Sequence, residues 1–460
     1  MARASFSDLP LDRDFLENLE RLDFYHMTDI QKQSLPLILD GKDISAQAKT
    51  GSGKTAAFAI GVLRKLNTTV YDVQALIVCP TRELADQVSE ETRRLARSIP
   101  NVKILTLCGG KPIGTQLNSL QRSPHIVIGT PGRLLKLLQK GALKLANLKT
   151  LVLDEADRML DMGFYDSIVS IIKYAPEDRQ TLMFSATFPD QIKKISQSFQ
   201  REPVSVRAEV LHNDNVIKQK FILVNKTRRT DMLIASLHQY KPSSCLVFCS
   251  TREFCQKLAD SLRDHGFKSA ALHGDMDQFQ RDQVLVQFSN KSLSILVATD
   301  VAARGLDVEN LEAVVNYNIS PDPEVHVHRI GRTGRAGSSG LAISLVASYE
   351  IARVEAIEEF TGTKISIEED VSTQRDSSYE LSPTMQTLFI NGGRKQKVRA
   401  GDIVGALTAN SELDSSSIGK INIMDRFSYV AVERPLIDKA LRLLSTGSIK
   451  GKKFTVRKVK

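Results

Sequence analysis

The sequence predicts an α/β protein, with two tandem parallel-sheet domains followed by a small α+β domain. Three observations predict it. Short apolar runs alternate with amphipathic helical segments, the pattern of a parallel sheet covered on both faces. The alternation then repeats at a near-constant offset: Leu76-Ile77-Val78-Cys79-Pro80-Thr81-Arg82-Glu83 resembles Leu246-Val247-Phe248-Cys249-Ser250-Thr251-Arg252-Glu253 at 170 residues, and Ile126–Thr130 resembles Ile295–Thr299 at 169. Finally, residues 384–460 hold 15 Lys/Arg against 6 Asp/Glu, which accounts for the whole net charge of +9. A basic terminal domain implies contact with a phosphate backbone; the alternative is a solvated basic surface.

At 460 residues the chain has room for three domains, each able to bury a core. No apolar run approaches the roughly 18 to 20 residues that a bilayer demands. The start, Met1 to Asp14, is too polar for a signal peptide, so a cytoplasmic protein with no membrane partner is expected. The five cysteines (Cys79, Cys108, Cys245, Cys249, Cys255) form no C-x-x-C pair and read as buried thiols of a reducing compartment.

In chain order, Phe15, Leu16, Leu19 and Leu22 recur at helical spacing after Asp12. Strand-type runs follow at Ala75–Cys79, Ile104–Cys108, Ile126–Ile128, Thr150–Leu153 and Thr181–Phe184, within a first domain placed at 1–208. The second domain, placed at 216–366, has neither a glycine loop nor an acidic quartet, so the two halves should bind one nucleotide. Residues 367–383 turn to Ser, Thr, Asp and Glu and read as a linker. Residues 384–460 show strand-like Leu388–Ile390 and Phe427–Val432, a weakly marked strand near Ile421–Ile423, helical Asp402–Leu407 and Leu436–Leu444, and a closing run Lys453–Val459. That βαββαβ order fits a small RNA-recognition sandwich.

The chemistry centres on Ala48-Lys49-Thr50-Gly51-Ser52-Gly53-Lys54-Thr55. Glycines beside a Lys-Thr pair can form a loop whose N–H groups converge on phosphates, because glycine adopts positive φ cheaply. Lys54 would reach the β/γ-phosphates and the Thr55 hydroxyl would ligate Mg²⁺. Ala48 stands where the strict pattern has Gly. Asp154-Glu155-Ala156-Asp157 ends a strand of parallel type, where α/β crevices open. Asp154 is placed to hold Mg²⁺ through water, and Glu155 to orient or deprotonate the attacking water; the alternative for Glu155 is a surface carboxylate. In the second half, His328-Arg329-Ile330-Gly331-Arg332-Thr333-Gly334-Arg335 gathers three arginines, and a guanidinium that stabilises the transferring phosphoryl contributes roughly 10³ to 10⁵ in rate. Arg332 and Arg335 are candidates for it, with His328 beside them, and an RNA-phosphate patch is the competing reading.

These motifs together resemble the DEAD-box RNA helicases over residues 1 to about 366, which implies two RecA-like domains, ATP and Mg²⁺ as cofactors, and RNA as partner. The resemblance makes Phe24 to Gln31 the adenine-reading segment, with Phe24, Thr28 and Gln31 as contacts and Phe6 stacking on the base. Asp23 stands where the family usually has Gly, and Met27 where Pro is common. Ser185-Ala186-Thr187 matches the segment that couples nucleotide state to RNA. RNA contacts are implied at Pro80, Thr81, Arg82, Gly109, Gly110, Thr130, Pro131, Gly132 and Arg133, and at Arg281 and Thr299; Asp307 is implied at the ribose. Glycines admit a close RNA backbone, and helix N-termini take phosphates.

In the tail, Phe427 and Tyr429 occupy the stacking positions of an imperfect RNA-recognition (RRM-like) signature, where aromatics buried as core are the alternative. Lys452 and Lys453 lie in its basic run. This architecture resembles bacterial family members whose tail recognises hairpin 92 of 23S rRNA on pre-large-subunit particles during ribosome biogenesis. The expectation is therefore a monomeric, ATP-dependent RNA helicase that locally unwinds short duplexes. The alternative is an ATP-gated RNA clamp or assembly scaffold, and a DNA translocase is a weaker third.

Overall fold

Strand order carries the prediction of a duplicated sheet. The computed structural model describes residues 4–48, 51–207, 217–303, 311–334, 340–369, 381–409 and 413–459, and the chain divides into two units near residue 212. In the first unit, β1 (Ile44–Gln47), β2 (Ala75–Val78), β3 (Ile104–Leu107), β4 (Ile126–Gly129), β5 (Thr150–Asp154), β6 (Gln180–Ser185) and β7 (Val204–Arg207) form one parallel sheet in the order β3-β4-β2-β5-β6-β1-β7. Successive side chains of a strand face opposite ways. Accordingly Ile77 and Val152 enter one apolar core, while Leu76, Val78, Leu151 and Leu153 enter another on the opposite face.

Two strands of this sheet, β1 and β7, have no apolar run in the sequence. β1 reads Ile-Ser-Ala-Gln because its polar groups are satisfied inside the protein: the Ser45 hydroxyl donates to Gln200 Oε1 at 2.7 Å, and the Gln47 amide to the Ala186 carbonyl at 3.0 Å. β7 is the sheet edge, where an alternating strand suffices.

The second unit begins with β8 (Ile217–Leu223), β9 (Cys245–Cys249), β10 (Ser269–Leu272), β11 (Ile295–Thr299), β12 (Ala313–Asn316), β13 (Gly340–Val346) and β14 (Ile367–Glu369). Their order, β10-β11-β9-β12-β13-β8-β14, repeats the first sheet position by position, and every pairing is parallel. The boundary placed at residue 366 is therefore corrected: Ile367, Glu368 and Glu369 pair with Phe221, Ile222 and Leu223, and Glu368 forms an ion pair with Lys220. Leu381 is likewise buried in the second core, so the sheet domain claims both ends of the expected linker, whose residues 370–380 lie outside the described part.

The terminal sheet contains β15 (Met385–Ile390), β16 (Ile418–Ile423), β17 (Ser428–Glu433) and β18 (Val456–Lys458), antiparallel in the order β16-β17-β15-β18. Helices Ala400–Thr408 and Ile437–Thr446 complete the expected βαββαβ order and pack Ile403, Leu407, Ala440 and Leu444 on Leu388, Val430 and Val432. The poorly marked strand is β16, whose register shifts between Ile418 and Ile421.

Close packing behind the glycine loop gives a test. Helix Lys54–Arg64 crosses helix Asp29–Leu39 at Gly61, where an added Cβ would stand 2.2 Å from Cγ2 of the fully buried Ile38. Alanine would gain about 1 kcal/mol in helix propensity, but overpacking costs about 1–3 kcal/mol and should win. Gly61→Ala is expected to lower stability by about 1–2 kcal/mol in urea denaturation.

Candidate nucleotide and RNA sites

β1 runs into the glycine loop and β5 into the acidic quartet, with β6 between them, so two segments far apart in sequence end on one crevice edge. Gly51 and Gly53 have φ of +81° and +90° and turn the chain into helix Lys54–Arg64, whose N-terminus faces the loop. Ala48 is buried at the end of β1, donates its N–H to the Ser185 carbonyl at 2.9 Å and keeps negative φ, so glycine is not needed there. Lys49 and Thr50 lie outside the described residues.

Lys54 is the electrostatic centre. Its ammonium lies 3.1 Å from Asp154 and 3.5 Å from Glu155, with all three side chains nearly inaccessible to solvent. Burial opposes the Lys54 charge, but the attraction of Asp154 and Glu155 outweighs it and raises the pKa. Burial raises that of Asp154 against the pull of Lys54. A carboxylate oxygen accepts more than one hydrogen bond, so Asp154 keeps acceptor capacity beyond its pairing with Lys54 through Oδ1. Glu155 sits at φ +51°, a conformation unusual for a non-glycine residue, and accepts from Arg158 at 2.7 Å. Arg158 has no role in the sequence reading; its i,i+3 spacing from Glu155 was the available signal.

Asp157 joins the quartet to Ser185-Ala186-Thr187. Its Oδ2 accepts from the Ala186 and Thr187 N–H groups at 3.0 and 2.9 Å and from the Thr187 hydroxyl at 3.1 Å, while its own N–H donates to the Ser185 hydroxyl. Four hydrogen bonds thus tie the two segments together.

The segment Phe24 to Gln31 closes the loop from behind. The Thr28 hydroxyl donates to the Ser52 carbonyl at 2.7 Å and the Gln31 amide to the Gly53 carbonyl at 3.0 Å. A Cβ on Gly53 would meet the Gln31 amide at 2.6 Å, so this approach demands glycine. Asp23 takes φ +65°, the conformation glycine adopts most readily, and Asp tolerates it better than most residues. Phe6, implied to stack on the base, is 2% exposed and packs edge-on to Phe24 at 6.1 Å.

The residues expected to hold RNA gather at the ends of the neighbouring strands β3, β4 and β2. Thr81 caps helix Arg82–Leu95 through Leu84 N–H at 3.2 Å, next to buried Pro80, and Thr130 and Pro131 start helix Pro131–Gln139, with Gly132 exposed. Gly109-Gly110 passes under the Arg82 guanidinium: a Cβ on Gly110 would lie 1.9 Å from it. Arg133 bridges to the Lys111 carbonyl with both terminal nitrogens at 3.1 Å. Two helix N-termini, two cationic side chains and a bare backbone make an anion-binding rim.

The second sheet repeats the device: Thr251 caps helix Arg252–Asp264, and Arg252 packs on Gly274 and pairs with Asp275 at 2.7 Å. The shared Cys-x-Thr-Arg-Glu was the signal for Arg252; nothing local marked Gly274. Thr299 ends β11, and Arg281 donates to the His273 carbonyl at 3.2 Å. Arg329 is withdrawn from any phosphate patch, being 4% exposed and gripped by Asp300 at 2.6 and 2.7 Å, by Asn316 and by the Asn318 carbonyl. Helix Pro323–Ile330 carries half-buried His328, with buried Arg332 just beyond its end. Asp307 and Arg335 lie outside the described residues.

The tail overturns one expectation. Phe389, Phe427 and Tyr429 share one sheet face, but helix Gln278–Ser289 of the same unit covers it: Phe279 meets Phe427 at 5.4 Å and Phe389 at 6.3 Å, and Val286 packs with Tyr429. Tyr429 is completely buried, so it is core and not a stacking platform, while Phe427 is partly covered. Burial, helped by Asp282, pushes the Tyr429 phenol up to about 12. Thr387 secures the contact through Ser292 at 2.7 Å and Asn290 at 3.4 Å. At the loop end, Arg394 and Lys395 donate their backbone N–H groups to Met424 and Asp425 carbonyls, and the Lys450 ammonium to the Lys397 carbonyl. That joins three loops bearing exposed Arg394, Lys395, Arg426, Lys452 and Lys453.

Known proteins match the whole arrangement. The DEAD/DEAH box helicase family matches residues 28–195, the helicase conserved C-terminal domain 228–337, and the DbpA RNA binding domain 387–458. The chain is 50% identical over 445 residues to the ATP-dependent RNA helicase DbpA of Escherichia coli (strain K12), covering 97% of each chain. It is 38% identical over 475 residues to that of Bacillus subtilis (strain 168), covering 98% of this chain and 99% of the other. The structure of S. cerevisiae Dbp5 bound to RNA and ADP BeF3 superposes with a TM-score of 0.73 at 29% identity, over 80% of this chain and 95% of that one.

The Tyr429 hydroxyl has no hydrogen-bond partner among the described residues. A buried unpaired hydroxyl costs about 1–3 kcal/mol. Tyr429→Phe is therefore expected to raise the urea midpoint, with a gain of about 1 kcal/mol; a loss of stability would mean that the hydroxyl is satisfied.

Proposed function

Because this chain belongs to the DEAD-box ATP-dependent RNA helicases, among those with a DbpA RNA-binding domain, we propose that it opens short RNA duplexes locally and is directed by its basic tail to 23S rRNA during large-subunit assembly. The observation that carries the catalytic part is the buried cluster of Lys54, Asp154 and Glu155 at the helix N-terminus. Phosphoryl hydrolysis is chiefly positioning and charge neutralisation. Lys54 exchanges its carboxylates for the β/γ-phosphates, and Glu155, held by Arg158, orients the attacking water. Mg²⁺ supplies charge neutralisation at the phosphates when bound. Asp154 suits it through water, as a buried carboxylate freed when Lys54 turns to the phosphates, and the Thr55 hydroxyl is the second candidate ligand. Arg332 and Arg335 are the proposed sources of guanidinium charge for the transferring phosphoryl. The rim of Arg82, Arg133 and the two helix N-termini holds RNA phosphates, and Asp157 links its occupancy to the nucleotide through Ala186 and Thr187.

With its sheet face covered, the tail reads RNA through the loops of Arg394, Lys395, Arg426, Lys452 and Lys453. The resemblance to bacterial relatives supports 23S rRNA as the target, and with it action as a monomer in the cytoplasm.

Lys54→Ala should reduce RNA-stimulated ATP turnover at least 100-fold, a loss of about 3 kcal/mol in transition-state stabilisation, and abolish strand displacement in a parallel assay. Retained turnover would refute the assignment of the site. Lys452→Glu with Lys453→Glu should weaken binding to a 23S rRNA hairpin fragment by about tenfold or more and flatten its salt dependence, while turnover at saturating unstructured RNA stays within about twofold. Equal loss with both RNAs would refute a targeting role for these loops.

A further inference from the structure

The second sheet has its own counterpart of the phosphate loop, and register identifies what stands there. β8 lies between β13 and β14 as β1 lies between β6 and β7. Each leads through a short loop into a helix, one beginning Lys54-Thr55 and the other Arg229-Thr230. Thr150 pairs with Ala75 as Ala313 pairs with Cys245, so the counterpart of Asp154 is Tyr317.

The slot keeps its contacts in changed chemistry. Arg229 forms an ion pair with fully buried Glu350 and lies over the Tyr317 ring at 5.6 Å, while the Thr230 and Tyr317 hydroxyls are 2.9 Å apart. The cation is already neutralised and a phenol replaces the carboxylate. A triphosphate with its metal finds neither partner here.

Beside this filled slot, at the carboxyl ends of β8, β13 and β14, a cavity of about 520 Å³ remains, a size typical of small-molecule sites. Val224 and Met232 form an apolar wall, and the ring of Tyr349, 59% exposed, lines the same space. Asn225 spends its carbonyl oxygen on Thr227, leaving its NH₂ as a donor. Ser348 adds a hydroxyl, and Arg228 and Glu369 bring opposite charges. A stacking surface, an amide donor, a carboxylate suited to ribose hydroxyls and a guanidinium suited to one phosphate define a ligand class. We infer that this cavity in the second domain binds a nucleoside monophosphate unit, either free or as the end of an RNA strand, separately from the catalytic nucleotide site.

The test uses the full chain labelled with ¹³C at methionine methyl groups, with the Met232 resonance assigned through Met232→Leu. Adenosine 5′-monophosphate should shift that resonance saturably, and Tyr349→Ala should weaken the response about tenfold, in keeping with the loss of one stacked base. Gln31→Ala, which damages the first nucleotide site, should leave the Met232 response intact. A shift given only by a short 5′-phosphorylated oligoribonucleotide, and lost in Tyr349→Ala, assigns the site to an RNA end. An unmoved Met232 resonance with both probes at millimolar concentration, or a shift indifferent to Tyr349→Ala, overturns the inference.

Discussion

The buried ion pair between Lys54 and Asp154 is the constraint around which the first domain is arranged. Removing two charges from water costs several kcal/mol per ion, and their attraction often fails to return it. A 3.1 Å pair at this depth therefore contributes little to stability. Under the proposed function its use is chemical: the surrounding structure holds a cation for phosphate and a carboxylate for a hydrated metal, each compensating the other until they are engaged. The parallel sheet supplies the rigidity, since β1, β6 and β5 are neighbours and their ends cannot separate without breaking ladders.

From that pair the structure extends outward by single contacts. Glu155 is fixed by Arg158, Asp157 by the backbone of Ala186 and Thr187, and the loop by Thr28 and Gln31. Each is a hydrogen bond of ordinary length, so the site is preorganised without a single dominant restraint. Duplication then shows how one scaffold diverges. In the second sheet the same Thr-Arg pair still caps a helix beside a glycine, preserving an anion-binding edge, whereas the phosphate-loop position has become an internal Arg229–Glu350 pair.

The terminal domain shows how a tertiary contact reassigns a surface. Exposed aromatics on a four-stranded sheet would offer stacking to bases. Here Phe279 and Val286 complete an apolar cluster with Phe389, Phe427 and Tyr429. The basic loops at the end of the sheet remain open to solvent, and charge concentrated there needs no aromatic partner to hold a phosphate backbone.

By itself the sequence determined the duplicated α/β architecture, the terminal α+β domain and the two segments that meet as the buried cluster of Lys54, Asp154 and Glu155. Apolar runs and glycine-lysine loops are local signals, and the chemistry of phosphate leaves few residue types to choose from. Only the tertiary structure decided the strands β1 and β7, whose polar residues are satisfied by distant Gln200 and Ala186 or lie at an edge. It also decided that Ile367–Glu369 belongs to the second sheet, that Arg329 serves Asp300, and that Tyr429 is core. In each case the deciding partner lies tens to more than a hundred residues away, and burial is a property of such pairings, which no local pattern records.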